Sequence, residues 1–383
     1  VRQCFEQFST LHPDDGQWTQ ATLATDKGGL GLRSLAKHSA AAFLASRSCC
    51  FELCQDLDPA HSFLSTDGHF PAPERLAVDA YNSCVNDDKR ISMDPVTKQS
   101  QRLLSEALDE RSLAQLAASS PLSRQAHLNL VCASGAGVFL HATPSKAMHL
   151  DNEPALFVGM LRRWLRVPFA DEDAECPLCG DVLDSFGDHA LVCGCGGDRT
   201  RRHNLLRNSV FYGAAAANLN PELEKPGLLP HRPLIGSTPE NGGPIAEDPS
   251  GRRPADVYIP RWRGGPPAAW DFAVTSGLRL DALAEAVHNP DNILAQYEDF
   301  KCSYKDTESF CNSQGITFIP MVMEAVGGGW GQEARRVWSE LAKKSALAMG
   351  EFASDHDCAI LLRQQLSMIL HRENARACLR RFG

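Results

Sequence analysis

Two aspartates between Arg253 and Ser276 have the residue types and the spacing for divalent-metal chemistry. Asp256 precedes the apolar run VYI, and Asp271 lies inside the run WDFAVT. We predict that these runs are adjacent strands joined by the Gly/Pro-rich hairpin between them. Mg²⁺ takes hard oxygen ligands, so two carboxylates and a substrate phosphate can complete its shell. Such a metal supports phosphodiester hydrolysis by lowering the pKa of a bound water.

Side-chain alternation along the second run indicates which residues share a face with Asp271. A period of two places Ala273 and Thr275 with the acid and puts Trp270, Phe272 and Val274 on the opposite face. The alternative is that Asp256 is a polar turn residue and Asp271 a solvated acid. Only the surrounding motifs favour the metal site over that alternative.

Three further residues are candidates for the same site. Many nucleases carry a lysine two residues after the second acid, but that position is Ala273 here. Lys301 is the best replacement, and Tyr297 shares its helical face because the two are four residues apart. A lysine near the metal could position the attacking water or offset charge on the phosphate, although Lys301 could also be a surface residue. Glu222 is a possible third metal carboxylate, with a simple exposed glutamate as its alternative.

A cysteine-histidine cluster has the spacing of a structural zinc site. In CPLCGDVLDSFGDHALVC, two residues separate Cys176 from Cys179, nine then precede His189, and three more precede Cys193. Thiolates and one imidazole at such spacing suit tetrahedral zinc. Cys195 is the competing fourth ligand, and we prefer Cys193 because it lies one helical turn after His189. Four protein ligands leave no open position, which predicts a structural metal.

Basic residues surround these motifs although the net charge of the chain is −9. Phosphate contacts need local positive charge rather than a basic total, so we predict nucleic-acid contacts from Arg201, Arg202, His203 and Arg253. The arginines could equally form a solvated helix face, and His203 could cap or pack a helix. Further basic residues lie nearby in sequence: Arg199, Arg207, Arg252, Arg261, Arg263 and the tail from Arg363 to Arg381.

Length and composition restrict the class of protein. A chain of 383 residues predicts two or three domains. No apolar run approaches the roughly 20 residues needed to cross a bilayer, and the start shows no signal-peptide pattern. The fourteen cysteines without a secretory signal favour reduced thiols and a cytosolic or nuclear location. Because the chain lacks an initiator Met, we expect a piece of a longer product, unless the N-terminus is processed.

Apolar periodicity predicts a helical N-terminal region followed by a mixed core. The order of helix, strand, hairpin, helix and strand indicates an α/β (α+β) fold. One expected strand begins near Glu222, before the hairpin, and another lies in GITFIPMVME, after it. The expected helices are Leu35 to Arg47, Val96 to Ser119, Phe157 to Val167, Leu278 to His288, Asp291 to Cys311, Gln332 to Ala348 and Asp355 to Leu379.

Several motifs together resemble one family. CPLCG, FGDHALVC, RRHN, RRPADV and WDFAVTS, followed by Tyr297 and Lys301 on a helix, resemble the C-terminal region of non-long-terminal-repeat (LINE-like) retrotransposon reverse transcriptase proteins. That region carries a CCHC zinc knuckle and a restriction-endonuclease-like domain. QATLATDKGGLGLRS, AAFLAS and GAGVFLHATPS also look like the segment that follows the polymerase in such elements.

The resemblance implies a PD-(D/E)XK nuclease core, a small mixed sheet flanked by helices. Its zinc ligands would be the Cys176 to Cys193 set, and its carboxylates Asp256 and Asp271. Two departures are visible, since Ala255 separates the proline from Asp256 and an aspartate replaces the more usual glutamate. The implied domains are a post-polymerase region at 1–168, the knuckle at 169–198, the nuclease-like domain at 199–350 and a basic helix at 351–383.

The implied activity is a nick in duplex target DNA, made with Mg²⁺ or Mn²⁺, whose new 3′ hydroxyl primes reverse transcription in the nucleus. Expected partners are the target DNA and the polymerase part of the same polyprotein, with the element's RNA as an open further partner and no membrane. The chain has no Tyr-x-Asp-Asp motif, so it should not polymerise alone. The alternatives are a catalytically decayed, zinc-containing nucleic-acid-binding module and an inert remnant of an element.

Overall fold

A computed structural model describes residues 1–62, 71–92, 100–229, 254–350 and 354–383. The described chain combines helices with a mixed sheet and begins with a helical region, which confirms the predicted α/β class. It forms two compact units, Val1–Leu128 and Asn129–Gly383. The predicted functional division at 168, 198 and 350 remains a prediction.

The elements in chain order are the helices α1 Arg2–Ser9, α2 Asp15–Thr22, α3 Leu35–Leu57, α4 Ala72–Ser83, α5 Gln101–Ala118, α6 Leu122–Cys132 and α7 Pro154–Leu165, then β1 Ala174–Glu175, β2 Val182–Leu183, α8 Asp188–Val192, α9 Asp198–Ala216, β3 Glu222–Leu223, β4 Val257–Ile259, β5 Ala268–Thr275, α10 Leu283–His288, α11 Pro290–Ser303, α12 Thr307–Ser313, β6 Thr317–Glu324, α13 Gln332–Met349 and α14 Asp355–Phe382.

The first unit is built from helices. Ala41 and Ala45 of α3 are buried against Leu104 and Leu108 of α5, with Tyr81 of α4 in the same cluster. The small alanine side chains let the helix backbones approach closely, and the larger residues fill the space between them. No described helix of the protein combines the length and the apolar character that crossing a bilayer would require.

The sheet of the second unit has the strand order β3-β4-β5-β6. β4 and β5 are antiparallel and form the predicted hairpin, whereas β5 and β6 are parallel and are connected through α10, α11 and α12. Trp270 and Phe272 of β5 and Met321 of β6 lie in the main apolar core, together with residues of α9, α13 and α14. The sheet is thereby held between helices.

Several predicted helices have different bounds. The helix expected to end at Arg47 continues to Leu57, and residues 96–99 of the helix expected from Val96 lie outside the described residues. The helix expected from Leu278 begins only at Leu283, because Arg279 first folds back so that its Nη1 donates to Thr275 Oγ1 at 2.8 Å. The helix expected over Asp291 to Cys311 is two helices, α11 and α12. Lys305 and Asp306 between them have φ values of 55° and 52°, a left-handed conformation that ends a right-handed helix.

The basic tail is partly a packing surface. Arg381 of α14 has a side chain with 0% exposure and donates to Asp198 Oδ2 at 2.8 Å. A paired arginine of this kind serves folding rather than phosphate binding. Arg381 therefore does not add exposed positive charge to the basic tail that the sequence shows.

Two glycines of the second unit give opposite predictions for stability. A Cβ at Gly327 would lie 2.2 Å from the Leu130 backbone oxygen, whereas a Cβ at Gly213 in α9 would meet only Leu341 Cδ2 at 3.8 Å. We expect Gly327→Ala to lower the free energy of unfolding by about 1–3 kcal/mol. Gly213→Ala should raise it by about 0.4–1 kcal/mol because it restricts the unfolded chain. Urea denaturation followed by circular dichroism measures both changes, and equal effects of the two variants would contradict this packing.

Candidate functional site

The predicted zinc ligands come together in the second unit. One ligand atom each from Cys176, Cys179, His189 and Cys193 lies within 4.8 Å of the other three. Cys179 Sγ is 3.2 Å from His189 Nε2. Three sulfurs and one imidazole nitrogen form a donor set that suits a tetrahedral metal. The group could hold a metal such as zinc, and Cys193 is its fourth member, as predicted from helical spacing.

Local turns bring these ligands together. β1 and β2 pair and frame the Cys-x-x-Cys loop, in which the Gly180 N–H donates to the Cys176 carbonyl at 2.9 Å. Asp184 accepts hydrogen bonds from the backbone N–H groups of Phe186, Asp188 and His189 at 3.1, 3.0 and 2.7 Å. These bonds satisfy donors at the start of α8 and so orient the helix that carries His189.

The thiol of Cys176 is tuned towards the form that binds metal. Burial opposes its ionisation, but hydrogen bonds from the Leu178 and Cys179 backbones outweigh burial and lower the pKa of Cys176 to about 6. The thiolate, not the thiol, is the metal ligand. Proximity to Cys176 raises the pKa of Cys179, so the metal-free loop carries its charge on Cys176 and its proton on Cys179.

The knuckle is packed against the last helix. Cys378 of α14 is fully buried beside Gly187, and a Cβ on that glycine would approach the Cys378 sulfur to 2.8 Å. Asp188 of α8 pairs with Arg163 at 3.2 Å and with Arg166 at 3.0 Å. Cys195, the alternative ligand, is exposed, and its carbonyl oxygen accepts from Arg381 Nη2 at 3.2 Å. These contacts fix the knuckle to the rest of the second unit.

We expect Cys193→Ser to abolish binding of one equivalent of zinc and to lower the melting temperature, because metal binding contributes directly to folding of such sites. Cys195→Ser is the matched control and should retain full zinc and stability. Metal analysis of the purified proteins together with thermal denaturation distinguishes the two variants. Zinc loss from the Cys195 variant instead would show that the wrong fourth ligand was assigned.

The two aspartates lie together at the end of the β4–β5 ladder. The paired residues end at Val257 and Trp270, and the next residue on each strand is Asp256 or Asp271. The Phe272 N–H donates to Asp256 Oδ2 at 2.7 Å, a bond that draws this carboxylate over β5. In an antiparallel pair, residues opposite each other carry their side chains on the same face, so the register of β4 and β5 makes Asp256 and Asp271 neighbours on one face of the sheet.

Each acid has a basic partner from a helix. His203 of α9 places its Nε2 3.0 Å from Asp256 Oδ2, and Lys301 of α11 forms an ion pair with Asp271. Burial raises the pKa of Asp256, but His203 outweighs this and the net direction is down. Burial dominates for Asp271 and, with the nearby Asp256 charge, raises its pKa to about 6 despite Lys301. The two acids therefore have different pKa values, with that of Asp256 lowered and that of Asp271 raised.

Tyr297 lies with Lys301 in the wall of one cavity, whereas Glu222 does not reach the acids. Glu222 is exposed on the edge strand β3 and pairs with Lys225 at 2.7 Å. The residue of this segment that contacts Asp256 is Glu224, whose backbone N–H donates to the Asp256 carbonyl at 3.0 Å. The geometry therefore does not favour Glu222 as a third metal ligand.

The predicted nucleic-acid contacts differ in accessibility. Arg201 is exposed over 55% of its side chain and pairs with Glu373 at 2.7 Å. Arg202 is buried, donates to Asn374 Oδ1 at 2.7 Å and to the Leu191 carbonyl at 3.2 Å, and has its pKa lowered to about 10 by burial. Arg253 lies outside the described residues. Sequence reasoning missed Asn374, since no local pattern connects it to α9.

A cavity of about 400 Å³ adjoins the acid pair. Its walls include Gly194 of the knuckle, Arg199, Arg202 and His203 near the start of α9, Ala273 of β5, and Tyr297 and Lys301 of α11. Two partners of the aspartates thus face the same space as the knuckle loop. None of the described residues that line this cavity is acidic, so it suits an anionic group.

No protein-family model matches this chain, and no curated protein matches it.

Proposed function

We propose that this chain is a divalent-metal-dependent endodeoxyribonuclease of the PD-(D/E)XK type, belonging to a non-long-terminal-repeat retrotransposon protein. The observation that carries the proposal is the meeting of Asp256 and Asp271 at the end of adjacent strands, with the Lys301 amine on Asp271. The small mixed sheet flanked by helices is compatible with that nuclease class. The assignment to a retrotransposon protein rests on the motif resemblance.

The donor set at the acid pair fits a hard cation. Asp256 uses Oδ2 for His203 and the Phe272 N–H, which leaves its Oδ1 for a metal. Asp271 supplies a second carboxylate from the neighbouring strand. Mg²⁺ or Mn²⁺ held there would supply a water of lowered pKa and positive charge beside the phosphate.

The other side chains around the acid pair stabilise its charge and orient the substrate. His203 keeps Asp256 ionised, because its imidazole lies against Oδ2 and lowers the pKa of that acid. Lys301 places an ammonium group at Asp271, where it can donate to a water or to a phosphate oxygen. Tyr297, one turn earlier on α11, faces the same cavity. These side chains come from rigid helices and strands, which favours a preorganised site.

The proposed substrate is duplex target DNA, nicked so that the 3′ hydroxyl primes reverse transcription. The proposed partners are the polymerase part of the same polyprotein and, as a further partner, the element's RNA, and the proposed location is the nucleus. Zinc in the knuckle would be structural, since three cysteines and one histidine fill a tetrahedral shell.

We expect Asp271→Asn to reduce nicking of supercoiled plasmid with Mg²⁺ or Mn²⁺ by about 100-fold or more, because the amide keeps the shape of the side chain but loses the charge that holds the cation. Lys301→Met should also reduce nicking. Conversion of supercoiled to open-circular DNA on agarose gels gives the rates.

Asp281→Asn is the matched control, because Asp281 is 75% exposed and its one ion pair among the described residues is with nearby Arg279. It should nick like wild type. Equal nicking by the Asp271 variant and the wild type would reject the assignment. Salt-sensitive DNA binding without cleavage under either metal would favour the catalytically decayed binding module instead.

A further inference from the structure

Three aromatic rings form a row that starts in the wall of the cavity beside the acid pair. The ring centroids of Tyr297 and Phe300 are 5.5 Å apart, and those of Phe300 and Tyr304 are 5.3 Å apart. Phe300 and Tyr304 are each 49% exposed. We call Tyr297, Phe300 and Tyr304 the aromatic row.

The exposure of this row is not explained by folding. Burying a Phe or Tyr side chain is one of the larger favourable terms available to a chain, yet two of these three rings remain half open to solvent. All three follow one another along α11 and the turn after it. Adjacent exposed aromatic rings of this kind indicate a binding surface.

The chemistry at both ends of the row points to a nucleic-acid strand. At one end, Arg199, His203 and Lys301 line the cavity that Tyr297 shares. At the other, the Lys305 Nζ lies 5.3 Å from the Tyr304 ring centroid. The acids Glu298 and Asp299 of α11 line a separate cavity. Cationic groups that follow a row of aromatic rings are the features that bind single strands, through phosphates and stacked bases.

The size of the cavity limits what can enter it. The cavity measures about 400 Å³, near the lower end of the roughly 300–1,000 Å³ of pockets that hold small molecules. It therefore admits a nucleotide-sized part of one strand. Bases that remain paired cannot stack on exposed rings, because their faces are already covered by neighbouring pairs.

We propose that the aromatic row binds an unpaired stretch of DNA next to the bond that is cut, so that the site acts on a locally opened strand rather than on an intact duplex. This inference rests on the proposed nuclease function for the position of the cut. It adds a substrate requirement that the acid pair alone does not imply.

Binding and cleavage are tested separately. Fluorescence anisotropy with labelled oligodeoxythymidine, without added Mg²⁺ or Mn²⁺, measures strand binding by the full chain. We expect Phe300→Ala and Tyr304→Ala each to raise Kd about tenfold, while Kd for a blunt duplex stays unchanged. Tyr304→Phe should retain binding, because it keeps the ring. Tyr212→Ala is the matched control, since Tyr212 is 67% exposed on α9 outside the row.

Cleavage is tested with a duplex that contains a short unpaired bubble at the cut. Wild type should nick the bubble with a lower KM than the fully paired duplex, and the Phe300 and Tyr304 alanine variants should lose that preference with kcat unchanged. Unchanged oligonucleotide binding in both variants would overturn the inference even if nicking persists. Absence of nicking with ring-dependent binding would instead reject only the nuclease function.

Two other occupants give different results. Tighter binding of oligouridine than of oligodeoxythymidine, lost in the same variants, would assign the row to RNA and overturn the DNA proposal. Loss of a dimer in the variants by analytical ultracentrifugation, with strand binding intact, would identify a protein interface and overturn it as well.

Discussion

Two partly buried carboxylates that lie side by side must be compensated, and this requirement explains much of the second unit. Asp256 and Asp271 occupy the ends of adjacent strands, where like charges at short range disfavour joint ionisation. Each acid has its own basic partner, His203 from α9 or Lys301 from α11. Since a carboxylate that is largely withdrawn from water is stabilised by an opposite charge, both helices bring a basic side chain to these strand ends. The cavity between these helices is therefore lined by basic side chains, and the two acids lie outside its lining.

The position of α9 depends in turn on the knuckle and on the last helix. Arg202 connects α9 to the Leu191 carbonyl of the knuckle and to Asn374 of α14. Asp198, at the start of α9, is held by Arg381. His203 follows Arg202 directly, so a shift of the knuckle would move the imidazole that contacts Asp256. A structural metal can thus support a second site without touching it.

The sequence predicted local features well and long-range ones poorly. Ligand spacing predicted the metal group, including Cys193 over Cys195, because one helical turn fixes that geometry. Apolar alternation predicted β5, because the period of two in a strand is also a property of neighbouring residues. The break at Lys305 was missed, since no glycine or proline marks its left-handed backbone. The burial of Arg202 and Arg381 was also missed, because the side chains that pair with them, Asn374 and Asp198, lie more than 170 residues away in sequence.

Ala273 occupies the position where many nucleases carry a lysine, and this difference connects the proposed nuclease site with the aromatic row. A lysine at that position would come from β5 itself and fill the space above the strand. The small alanine leaves this space as a cavity wall, and the amine arrives from α11 instead. A helix that delivers Lys301 also presents Tyr297, because residues four apart lie on one face. The helix that carries the amine therefore also places an aromatic ring in the wall of the same cavity, and Phe300 and Tyr304 extend the row along the helix into solvent.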